Sequence, residues 1–143
     1  MDKKEFPFEK REWTPLADDF VAKNGLVVEM LSSSEQLKAL GDRFQNALSD
    51  GRFVDHWSKL AESGREQIYQ VRQGDAVLSC GELHVQAGKV VVRWNRSYRN
   101  EAGNPESEAA VNEFARKANA NEIDLNFEIG EAGFESRGPR LAA

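Results

Sequence analysis

Hydrophobic positions along the chain change period several times, and those changes divide it into elements. Residues 1–13 mix both charges around Phe6, Pro7 and Phe8, a pattern expected of an arm that docks its aromatic rings rather than of a helix. Thr14 before Pro15 looks like a helix start, and a short helix is expected over 15–23, stopped by Asn24-Gly25. Leu26–Leu31 is short and β-branched, the composition of a buried strand. Ser33 followed by Gln36 forms a capping-box signature, after which Leu37, Leu40, Phe44, Ala47 and Leu48 fall on one helical stripe. Beyond Asp50-Gly51, a second stripe of Phe53, Val54, Trp57, Leu60 and Ala61 predicts another helix, ended by Gly64, and the two make a helical hairpin.

From residue 66 to 95 the period drops from 3.6 to 2, with turn residues at 73–75 and 87–88, which predicts a three-stranded meander. A two-residue turn at Ala87-Gly88 sets Val85 opposite Val90, Leu83 opposite Val92 and Gly81 opposite Trp94, with the indole filling the space Gly81 leaves. The same register puts Glu82 across from Arg93 and His84 across from Val91 on the other face. Asn104 and Pro105 then cap a helix whose buried stripe is Ala110, Val111, Phe114, Ala115 and Ala118. Ile123, Leu125, Phe127 and Ile129 alternate with Glu122, Asp124, Asn126 and Glu128, as in a half-buried strand with an acidic outer face. The expected architecture is one α+β domain over 14–130, preceded by the arm 1–13 and followed by a flexible tail at 131–143. In it a helical hairpin and a C-terminal helix pack on a mainly antiparallel sheet.

Composition narrows the function classes. In 143 residues there are 19 Lys plus Arg against 24 Asp plus Glu, a net charge of -5, and 40% of residues are hydrophobic. No apolar run approaches the ~18 residues of a membrane span, and no N-terminal stretch resembles a signal peptide, so a cytoplasmic protein with no membrane partner is expected. Cys80 is the single cysteine, which leaves neither a disulfide nor a cysteine-rich zinc site, and no cofactor or metal is expected. The charge is uneven: residues 1–64 sum to -3, residues 65–99 to +3 and residues 100–143 to -5. The meander is a basic island between acidic flanks.

Two clusters carry candidate chemistry. Arg93, Trp94, Arg96, Tyr98 and Arg99 interleave cations with aromatics where the last meander strand ends, a composition that can set guanidinium groups on phosphates and a ring under a base. The competing reading keeps Trp94 in the core, pairs Arg93 with Glu82 and leaves the other arginines solvated. Cys80, Glu82 and His84 share one strand face at spacing i, i+2, i+4, which could serve a nucleophilic site. Neighbours on one face are ~6.5–7 Å apart, however, too far for a direct Cys–His hydrogen bond; a buried Cys80 beside a Glu82–Arg93 surface pair is the alternative. His56, next to Asp55 on a helix whose inward stripe includes Trp57, points sideways or outward, and Asp18-Asp19 diverge too far to share a proton. No GxGxxG, P-loop, HExxH, GxSxG or EF-hand spacing occurs.

Read in order, GLVVEMLSSSEQLKALG, FQNALSDG, GREQIYQVRQGDAVLSCGELHV, GKVVVRWNRSYRN and AAVNEFARKAN resemble in layout the PcfJ-like family of conjugative plasmids and other mobile elements, over roughly two thirds of the chain. The family pattern has a His-Cys pair where this chain has Asn46-Ala47, and Gln, Gly and Asn where it has Val92, Asn95 and Tyr98, while the Arg96 and Arg99 positions look retained. The resemblance therefore implies a topology and a mobile-element setting, and transfers no catalytic group. The expected function is a small non-enzymatic binding or accessory protein, monomer or homodimer, acting through nucleic-acid or protein contact. The alternatives are an enzyme built on the Cys80/Glu82/His84 face, or an acidic inhibitor that mimics nucleic acid.

Overall fold

The computed structural model describes residues 8–44, 51–97, 102 and 104–136. Its elements in chain order are β1 (Phe20–Val21), β2 (Val27–Met30), α1 (Ser34–Phe44), α2 (Gly51–Glu62), β3 (Glu66–Gln73), β4 (Ala76–Gln86), β5 (Lys89–Arg96), α3 (Pro105–Asn119), β6 (Phe127–Ile129) and β7 (Phe134–Ser136). Strands β1 to β5 form one antiparallel sheet in sequence order, and β6 with β7 form a separate two-stranded sheet. The chain is thus an α+β domain, as the pattern predicts.

Period-2 alternation buries both faces of the meander. Tyr69, Val71, Leu83, Val85 and Val90 join the Ala110, Val111 and Phe114 stripe of α3 in one core. Ile68 and Cys80 join Leu31, Leu37, Leu40, Phe44 and Val54 in a second core under the α1–α2 hairpin. The N-terminal arm closes this second core: Phe8 and Trp13 pack on it, and the Trp13 indole N–H donates to the Leu31 carbonyl at 3.0 Å. Phe6, Ala47 and Leu48 lie outside the described residues.

The starts of α1 and α3 follow the sequence. The Gln36 amide donates to Ser33 Oγ at 3.2 Å, and the Gln36 side chain reaches back to the Ser32 amide at 2.6 Å. Asn104 caps α3 by accepting from the Ser107 amide at 2.7 Å, with Pro105 as the first helical residue. The buried stripe of α2 is Val54, Ser58 and Ala61, so Phe53, expected inside, is 45% exposed.

Four further expectations are corrected. Residues 15–23 are not a helix. Phe20 and Val21 pair with Val28 and Val27 across the Asn24-Gly25 turn, where Gly25 takes φ 85°. Asn-Gly between β-branched residues is a hairpin signal that the Thr14-Pro15 start obscured. Secondly, β5 carries a bulge. Beyond Leu83↔Val92 the pairing moves to Glu82↔Trp94 and Gly81↔Asn95, leaving Arg93 as the extra residue. Trp94 is thereby turned to the α1–α2 side, and a Cβ on Gly81 would instead run into the Trp94 carbonyl and the Tyr69 hydroxyl. Thirdly, burial alternates from Ile123 to Ile129 as expected, but only Phe127–Ile129 is strand, because its partner is β7 and not the main sheet. Finally, β7 occupies part of the expected tail: Phe134 is buried, and its amide donates to the Gly64 carbonyl at 2.6 Å. Residues 137–143 lie outside the described residues.

Candidate functional site

The bulge at Arg93 assembles a polar cluster on the α1–α2 side of the sheet. Glu82 is fully buried; its Oε2 accepts from the Trp94 indole N–H at 2.7 Å, and its Oε1 lies 3.4 Å from Arg93 Nη1. The same guanidinium nitrogen donates to Glu66 Oε1 at 2.9 Å. Glu66 stands on β3 two residues before Ile68, the residue opposite Glu82, and shares the Arg93 guanidinium with Glu82. Burial, and next the hydrogen bond and like charge of Glu66, push Glu82 up to about 8 against the opposing pull of Trp94 and Arg93. Glu82 therefore keeps its proton to higher pH than an exposed carboxyl, and Glu66 Oε2 is buried with no hydrogen-bond partner among the described residues. The expected Glu82–Arg93 pair forms, but as a pair with one buried member rather than at the surface.

Cys80 lies two residues before Glu82 on β4. It is fully buried in the apolar cluster, opposite Gln70 and Arg96, whereas His84 is half-buried opposite Glu66 and Val91. Among the described residues no group of three His, Cys, Asp or Glu side chains could hold a metal ion. Asp19, one of the paired N-terminal aspartates, ends in an ion pair with Arg72 at 2.8 Å.

The basic segment gains partners that its own sequence does not announce. The Trp94 ring meets Trp57 of α2 edge-on at 6.4 Å between centroids, and Trp57 meets His56 in the same way at 5.4 Å. His56, Phe53 and Arg52 line a surface groove of about 420 Å³ one turn earlier on α2. A row of rings, Phe53, His56, Trp57 and Trp94, thus runs from helix to strand. Arg52 flanks it at one end and Arg93 and Arg96 at the other, with Arg52 and Arg96 exposed and the Arg93 side chain 53% exposed. Arg96 Nη1 donates to the Asn95 carbonyl at 3.2 Å, which holds one end of its guanidinium against β5. Tyr98 and Arg99 lie outside the described residues. The sequence places Phe53 and Trp57 in one core stripe; Trp57 does pack on the second core, half-buried, while Phe53 is turned out to the surface.

A further groove, of about 450 Å³, lies elsewhere, between β5, the end of α3 and β6. Ile123, Leu125, Phe127 and Ile129 line it, with Lys89 and Glu128 among its polar residues. Comparison with protein-family models, curated proteins and solved structures finds no match for the chain. No helix among the described residues is long and apolar enough to cross a membrane.

Proposed function

We propose that the protein is a non-enzymatic binding protein that contacts nucleic acid, single strands above all, through the face shared by α2 and β5. The observation that carries the reading is the Trp57–Trp94 contact, which joins two separate stretches of chain into one row of rings flanked by arginines. Stacking of bases on aromatic rings is sequence-tolerant and contributes ~1–3 kcal/mol per base, and guanidinium groups alongside engage the phosphates. The fully buried Cys80, apart from His84, favours binding over thiol chemistry on this sheet. A setting on a plasmid, phage or related mobile element belongs to the same proposal and rests on the layout resemblance alone.

Gel-shift titration with single-stranded oligonucleotides tests the reading. Binding at low salt that weakens as salt rises is expected, with Arg96→Ala and Phe53→Ala each reducing affinity while leaving thermal stability unchanged. Absence of a shift at low salt rules the reading out. A second reading, an acidic protein that occupies the nucleic-acid site of a basic partner, is favoured by exposed Glu122, Asp124 and Glu128 beside the β6 groove. It predicts no shift, and competition with nucleic acid for a basic protein instead.

A further inference from the structure

Arg93 is held by the two carboxyls behind it and faces solvent in front. Its Nη1 serves both Glu66 and Glu82, while the side chain as a whole is half exposed on a strand bulge. A guanidinium has five donor hydrogens, so one edge can stay on Glu66 while the other turns to a ligand. The charge behind it decides how freely it does so. With one proton in the carboxyl pair, a single negative charge offsets the guanidinium. With none, two negative charges draw Arg93 inward and repel any phosphate beside it.

Resting on the nucleic-acid reading above, we infer that Arg93 is shared between the buried carboxyl pair and a bound phosphate, so that phosphate binding at β5 and ionisation of Glu82 oppose one another. Glu82 is a positioning residue that acts through Arg93. Among the described residues, the charged and titratable groups around it are Glu66 from β3, Cys80 and His84 on its own strand and Arg93 from β5. The α2 helix over this side of the sheet presents Trp57 to Trp94, and its own charges are engaged elsewhere or exposed. Asp55 accepts the Glu9 amide, Glu62 pairs with Arg11, Arg52 and His56 line the Phe53 groove, and Lys59 is exposed. On α1, Glu35 pairs with Lys10 and Asp42 with Lys38, and Arg43 is exposed.

The sign follows from linkage. Glu82 gives up its proton as pH rises through about 8, so affinity for a phosphate-bearing strand falls across that range. The loss is about tenfold for each pKa unit by which bound phosphate raises Glu82.

The experiment is a fluorescence-anisotropy titration of the full chain with a short thymidine oligonucleotide at fixed low salt, from neutral to alkaline pH. Wild-type protein is expected to lose affinity through this range, and Glu82→Gln, which keeps Glu66, His84 and Arg93 but cannot ionise, to give a flat profile. Should Glu82→Gln fail to fold, Glu66→Gln removes the like charge while burial remains, and the decline is expected to move to lower pH. A pH-independent wild-type affinity, or an equal decline in a folded variant, overturns the inference and leaves the binding reading standing. No binding at any pH overturns both.

Discussion

Replacing Glu82 by Gln should make the fold more resistant to alkali. The Glu82 carboxyl is fully buried and pushed up from 4.5 to about 8 in the native state, chiefly by burial and then by Glu66. Between those two values the native state binds a proton that the unfolded chain releases, so stability falls as pH rises. The contribution is fully present below about pH 4.5, is lost as pH passes 8, and is flat beyond. At about 1.4 kcal/mol per unit, the shift sets a ceiling of roughly 4–5 kcal/mol, a large share of a typical domain stability. Gln keeps the shape and an oxygen for the Trp94 indole, and it has no charge to bury. Urea denaturation followed by tryptophan fluorescence at pH 5, 7 and 9 measures the difference between wild type and variant. The two stability curves should separate with rising pH, the variant becoming the more stable at pH 9. Parallel decline would refute the assignment of a buried, proton-holding Glu82.

Three further outcomes follow from the packing. Gly81→Ala drives a methyl into the Trp94 carbonyl and the Tyr69 hydroxyl, so a loss of about 1–3 kcal/mol or failure to fold is expected in the same urea assay. Asn119→Ala removes the side-chain clamp on the β5 edge, a 2.7 Å bond to the Val90 amide and a 3.0 Å bond to its carbonyl, and should lower stability by about 1–3 kcal/mol. Cys80, with no exposed surface, should resist a thiol reagent in the native protein and react fully in urea; rapid native labelling would show that the second core opens.

Periodicity made most of the fold legible, since each face of β3 to β5 and each buried stripe meets a core. The α3 cap was legible from Asn104-Pro105 alone, because those bonds close within one turn. What escaped depends on contacts distant in sequence. A one-residue bulge at Arg93 moved Trp94 across the sheet and brought its indole to Glu82, and only the tertiary need of a buried carboxyl for a donor selects that register. Residues 20–21 are strand because β2 offers an edge, whatever the local helix signal of Thr14-Pro15. In the candidate site, the Glu82–Arg93 pair was expected from a register that the bulge shifts, whereas Glu66 and Trp57 were not expected there: one joins from β3, the other from α2.

The claim that α2 and β5 form one ligand face is tested most directly by chemical-shift mapping of the isotope-labelled protein during titration with a single-stranded oligonucleotide. Shifts concentrated on residues 52–57 and 93–96, including the indole N–H groups of Trp57 and Trp94, are the predicted result. An unchanged spectrum at low salt, or shifts confined to the groove lined by Ile123–Ile129, would contradict it.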